Sequence, residues 1–212
     1  MKREQHLPAF AGTGLRGATA GFATERSDKD LPARSVAGFT AIELLVTLVV
    51  FTILLSLAIG GFREWRQKYQ LRGAAREIYA NLQLAKMTAV KDRARCAVLF
   101  NVNSKQHQVV KCGADGTVGG GDDVTLKTAD LSAYGKGLIY GTGGSGVGAP
   151  VTFSDNGIMF DPRGMIYTPS GGAVSQDGYA YLQFQGKNDA FRVGVRTGGV
   201  IILQRWTGSG WQ

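Results

Sequence analysis

The sequence predicts an α+β protein: a long N-terminal α-helix, membrane-spanning over its first part, packed on a small antiparallel β-rich globular head. Three observations lead there. From Leu44 to Phe62 the chain runs 19 residues without a charged side chain, and such a helix measures roughly 28 Å, about the hydrocarbon thickness of a bilayer. Beyond it, Leu71, Ala75, Ile78, Leu82, Ala85 and Ala89 recur at alternating spacings of four and three, the mark of one apolar helix face. From Cys96 onward the pattern changes to short apolar runs separated by Gly, Asn and Asp, which read as strands and turns.

Residues 1–38 carry scattered Gly, Thr and Ser with both signs of charge and no apolar periodicity, so they read as a disposable leader. Residues 39–62 form the expected transmembrane helix. Residues 63–95 continue it as an amphipathic helix, because no proline lies between Pro32 and Pro150. Gly60-Gly61 is the weakest point of that helix, at roughly 1 kcal/mol per Gly relative to Ala. Trp65 and Tyr69 follow the apolar run at the level of an interfacial aromatic belt. Residues 96–212 form the head.

In the head, Ala97 to Phe100 and Gln108 to Val110 flank the polar connection Asn101 to Lys105 and predict a hairpin. Further strands are expected at Leu138 to Tyr140, Val151 to Phe153, Ile158 to Phe160, Tyr179 to Phe184, Phe191 to Arg196 and Val200 to Arg205. Glycine-rich loops, Gly113 to Asp123 and Gly141 to Gly148, lie between. No period of repetition occurs, which excludes a solenoid.

The net charge of +8 suggests nucleic acid until it is located. Residues 1–38 contribute +2, residues 39–95 contribute +5, and the head contributes only +1. The excess lies along the leader and helix, so the high pI does not argue for a DNA-binding head.

At the mouth of the apolar run stands Gly38-Phe39-Thr40-Ala41-Ile42-Glu43. A glycine, an aromatic residue, and an acid five positions after the glycine resemble the processing site of type IV pilins and type II secretion pseudopilins. The resemblance implies cleavage by a prepilin peptidase between Gly38 and Phe39, N-methylation of Phe39, and an assembly role for Glu43. An acid at the edge of a lipid-facing helix needs a partner, and a neighbouring subunit's Phe39 amine would supply it. Ile158-Met159-Phe160-Asp161-Pro162-Arg163-Gly164, followed by Val195-Arg196-Thr197-Gly198-Gly199-Val200, resembles the C-terminal pattern of the minor pseudopilin H/FimT branch. That branch carries an arginine in the terminal glycine turn, where this chain has Gly199.

The implied fold is pilin-like. The implied function is that of a minor pseudopilin of a type II secretion pseudopilus, contributing to filament initiation or its tip and contacting other pseudopilins or secreted cargo. The location implied is the bacterial inner membrane, single-pass, with the leader cytoplasmic and the head periplasmic. A type IV pilus minor pilin, FimT-like and acting in pilus assembly or DNA uptake, is the alternative. A generic bitopic periplasmic binding module is the alternative from another class.

Other candidates carry less. Gly141-Thr142-Gly143-Gly144-Ser145-Gly146 matches GxGxxG, but Val147-Gly148-Ala149-Pro150 and a strand follow where a helix N-terminus is needed, so a loop is expected. Cys96, His107 and Cys112 lack a fourth zinc ligand and a CxxC pair. Asp115, Asp122 and Asp123 sit among glycines without EF-hand spacing and read as a solvated turn rather than a loose cation site. No catalytic motif is found, and neither an enzyme activity, a cofactor nor a metal is expected. Arg192, Arg196 and Arg205, near Trp206 and Trp211, are candidate DNA contacts diluted by Asp177 and Asp189. Cys96 and Cys112 are the only cysteines and bracket the first hairpin about Ser104. An unbulged hairpin would set them opposite each other, and a disulfide is expected in an oxidising compartment.

Overall fold

The structure, a computed structural model, describes residues 38–212; the expected leader lies outside the described residues except for Gly38. The first element is α1 (Ala41–Asp92). Thr40 caps it: its Oγ1 accepts from the Glu43 amide at 3.3 Å. Thr40-Ala41-Ile42-Glu43 thus has the spacing of a capping box, and Glu43 sits in the first turn, where the helix dipole favours a negative charge. Among the described residues no single helix is long and apolar enough to cross a membrane. Ala41–Leu57 and Gly61–Asp92, bent by 41° at the break between them, have the length and composition together. The break adjoins Gly60-Gly61, where the sequence makes the helix weakest.

Nine strands follow. They are β1 (Cys96–Asn101), β2 (Gln106–Lys111), β3 (Val124–Asp130), β4 (Leu138–Tyr140), β5 (Gly157–Phe160), β6 (Ile166–Tyr167), β7 (Gly178–Phe184), β8 (Ala190–Val195) and β9 (Ile201–Arg205). One antiparallel sheet has the order β3-β2-β1-β5-β6 and the other β4-β7-β8-β9. The predicted stripe Leu71, Ala75, Ile78, Leu82, Ala85 and Ala89 is buried, joined by Ala74. It packs in one core with Val98 and Phe100 of β1, Val109 of β2, Phe160 of β5, Leu182 of β7, and Phe191, Val193 and Val195 of β8. The strand expected at Phe191 to Arg196 is present as β8, with Phe191, Val193 and Val195 inward and Arg192 half-buried on the other face.

Three expectations change. The segment Val151 to Phe153 is not a strand but a single bridge, Val151 to Ala180. β3 and β6 are additional strands. The hairpin turns one residue differently from the symmetric reading: Asn101 belongs to β1 and pairs with Gln106, so Cys96 lies opposite Lys111 and not Cys112.

That register decides the cysteines. Cys112 lies one residue beyond β2, its amide donating to the Arg95 carbonyl at 2.8 Å. Successive side chains on a strand point to opposite faces, and Cys96 joins the main core while Cys112 packs with Ala97 and Met159 in a second cluster. The expected disulfide is not formed; both cysteines are free and buried. Burial pushes both thiols up to about 11, and the Cys112 thiol donates to the Met159 sulfur at 3.6 Å.

Candidate functional site

At the N-terminal end, Gly38 and Phe39 are exposed, Phe39 by 81%. A Cβ built at Gly38 would meet nothing within 4 Å. Local packing therefore does not demand glycine here. After α1 begins, every large apolar side chain described from Ile42 to Leu57 is exposed, over a range of 49–75%.

The two C-terminal motifs, separate in sequence, meet at one place. Asp161 is buried and closes the Asp161-to-Gly164 turn by accepting from the Arg163 and Met165 amides at 2.9 and 2.8 Å. The Gly199 turn lies against it: Gly199 has φ +74°, and a Cβ there would stand 2.9 Å from the Gly164 carbonyl oxygen. An arginine at 199 would meet both the left-handed backbone and that oxygen. Lys86 of α1 ties the turn to the helix, Nζ donating to the Gly199 carbonyl at 2.8 Å.

A family model described as type II transport protein GspH matches residues 74–199, more than half the chain. The chain belongs to the GspH family. The match covers the last third of α1, from Ala74, and both converging motifs as far as Gly199. Among solved structures, the type IV minor pilin FimU of Pseudomonas aeruginosa aligns with TM-score 0.48 and 17% identity, over 70% of this chain and 96% of that one. The minor pseudopilin EpsH from the type 2 secretion system of Vibrio cholerae aligns with TM-score 0.45 and 15% identity, over 63% and 95%. Comparison with curated proteins gives no match.

The other candidates of this GspH-family chain take definite places. The zinc set is not brought together, since Cys96 and Cys112 face opposite sides of the sheet. His107 is fully buried and engaged at both ring nitrogens, by Asn81 Nδ2 at 2.7 Å and the Tyr140 hydroxyl at 3.2 Å. The amide donates, so Nε2 is the acceptor and Nδ1 carries the proton. Burial lowers the His107 pKa to about 4, with Lys127 pushing the same way and Glu77 opposing. Lys127 bridges Glu77 and Asn81, at 3.0 Å to each. This network joins α1 to β2, β3 and β4. The sequence reading missed it; the one available signal was Asn81, a polar residue flanked by Ile78, Leu82 and Ala85 at helical spacing.

Gly141 to Gly146 is a loop with a short 3-10 turn, packed so closely on the β7–β8 connection that a Cβ at Gly143 would lie 2.6 Å from the Asn188 carbonyl. Asp115, Asp122 and Asp123 do gather, their nearest oxygens within 4.8 Å of one another. Those oxygens already accept from loop amides: Ala114 to Asp122 at 2.8 Å and Gly119 to Asp123 at 2.6 Å.

The three candidate DNA arginines are largely engaged. Arg192 lies over the Tyr179 and Trp211 rings at 4.4 and 4.7 Å and donates twice to Gln204 Oε1. Arg205 faces Asp189 at 3.7 Å. Arg196 is exposed close enough to Asp177 to help lower its carboxyl pKa, after the Thr197 amide and the Tyr179 hydroxyl. The C-terminal bridge between Trp206 and Trp211 thus folds the tail back so that Trp211 covers Arg192.

Proposed function

We propose that this chain is a minor pseudopilin of a type II secretion pseudopilus, anchored in the bacterial inner membrane by residues 39–62. A prepilin peptidase removes residues 1–38 and Phe39 is N-methylated. The head, residues 96–212, stands on the amphipathic stretch 63–95 in the periplasm. There it contacts other major and minor pseudopilins at filament initiation or at the tip, and secreted cargo. Its role is structural rather than enzymatic.

The observation that carries this reading is the sheath of exposed apolar side chains from Ile42 to Leu57. Burying such a surface is worth roughly 25 cal/mol per Å², and the head does not cover it. A bilayer covers it first and neighbouring helices afterwards. Glu43 at its edge would then pair with the Phe39 amine of the adjacent subunit. Gly38 supports the cleavage step, because its missing side chain serves no local packing and suits an extended passage through a protease cleft.

Mass spectrometry of protein extracted from membranes should find N-methyl-phenylalanine at position 39 as the first residue. An intact N-terminus, or cleavage near Ala58, would overturn the assignment. The same preparation of Glu43→Gln separates two roles of Glu43: glutamine keeps the capping geometry but carries no charge. Cleavage and membrane insertion should persist while co-purification with partner pseudopilins falls.

A further inference from the structure

Two of the grooves beside the first head-proximal turns of α1 differ in charge. In one, Lys68 and Lys187 lie 4.0 Å from Asp189 and Glu64, so each cation has a carboxylate. The other has a volume of about 780 Å³ and is lined by Arg63 and Arg66 of α1 and by Lys136, with no carboxylate in its wall. All three cations are exposed, and none forms an ion pair among the described residues.

The groove is built. Asp130 caps the short 3-10 turn from Leu131 to Tyr134 by accepting from the Ser132 amide. Tyr134 then packs on α1 at Gly73, where a Cβ would stand 3.1 Å from the ring. Beyond Lys136, the Gln185 amide donates to the Gly137 carbonyl at 2.8 Å. The segment that carries Lys136 is thereby held on both sides against the helix that carries Arg63 and Arg66.

Arg63 directly follows the uncharged run that ends at Phe62, and Trp65, which is 62% exposed, lies between the two arginines. This is the depth at which a membrane's headgroups lie and at which tryptophan prefers to sit.

We propose that this groove seats the headgroup phosphates of anionic phospholipids in the leaflet from which the apolar segment emerges. The inference rests on reading residues 39–62 as the membrane anchor. Converging basic side chains near an anionic surface each add attraction, and guanidinium groups match phosphate oxygens in pairs. The ligand enters from the bilayer, so the site needs no soluble donor. Bound lipid would fix the head's tilt and rotation on the membrane before assembly.

Native mass spectrometry of the full chain from detergent, loaded with equimolar phosphatidylglycerol and phosphatidylcholine of matched acyl chains, tests it. The wild type should retain phosphatidylglycerol in excess, on the order of a hundredfold for three cations. The variant Arg63→Gln/Arg66→Gln/Lys136→Gln should lose that preference, and Lys68→Gln/Lys187→Gln, in the paired groove, should keep it. The triple variant alters exposed residues without ion pairs, and an unchanged circular dichroism spectrum would verify its fold. Equal uptake of the two lipids by the wild type, as expected if an acidic protein were the occupant, overturns the proposal. A preference that survives the triple substitution also overturns it. Release of the wild-type chain from carbonate-washed membranes would strike the anchor reading itself, and this proposal with it.

Discussion

Leu82 and Leu48 lie on the same helix, yet Leu82 is fully buried and Leu48 is 58% exposed. Intrinsic helix propensity treats them alike. The difference comes from what the rest of the chain brings to each. Around Leu82 two sheets close on a stripe kept narrow by Ala74, Ala75, Ala85 and Ala89, small residues that let the strands approach the helix. Around Leu48 the neighbours are other apolar side chains equally exposed, such as Leu44, Leu45 and Phe51. One half of α1 is a core element of the head. The other half has an apolar surface that nothing among the described residues covers.

The sharpest way to break that comparison is to truncate both leucines in the full chain in detergent. Leu82→Ala should lower head stability in denaturant by about 2–5 kcal/mol, the range for a large-to-small change in a packed core. Leu48→Ala should leave it within about 0.5 kcal/mol. Equal losses would mean that the first half is also part of the head's core.

The polar seam beneath the second half gives the next effect. The His107 pKa in the fold is lowered to about 4 from an ordinary 6.5, so the unfolded chain binds the proton first. Stability is therefore complete above about pH 6.5 and declines as pH falls toward about 4. Below that the His107 contribution is flat. The loss approaches about 3 kcal/mol over that window. Unfolding curves between pH 7 and 4 should show the slope, and His107→Gln should flatten it. A slope unchanged by the substitution would assign the pH dependence to other groups.

The smallest effect concerns the cysteines. Thiol labelling of denatured, unreduced protein should find both Cys96 and Cys112 free, and reductant should leave the unfolding midpoint unchanged. A bridge would require the hairpin to shift register by one residue, turning one strand's inward side chains outward.

Much of this is legible in the sequence. The stripe from Leu71 to Ala89 needs only a helical period, and each of its members is buried. The strand pattern of β8 follows from alternation, and the branch resemblance from the two C-terminal motifs, which fall within the matched region as far as Gly199; the Gly38–Glu43 hexapeptide lies outside it. β3 was not legible because Val124, Thr125 and Leu126 are all exposed on an edge strand and show no inward–outward rhythm. β6 is two residues long, too short for any period.

The sequence by itself determined where apolar surface must be buried, because hydrophobic spacing is a local property of neighbouring residues. It also set the position of the capped helix start at Thr40 and Glu43, which hydrogen bonds across one turn arrange. Only the tertiary structure decided the facing of Cys96 and Cys112, the meeting of the Asp161 and Gly199 turns on Lys86, and the neutral, doubly bonded state of His107. It likewise decided that Arg192 is covered by Trp211 while Arg63, Arg66 and Lys136 share one open groove. Each of these joins residues far apart in the chain. A one-residue choice of turn or the path of a single loop is enough to change such a pairing, and no local pattern records it.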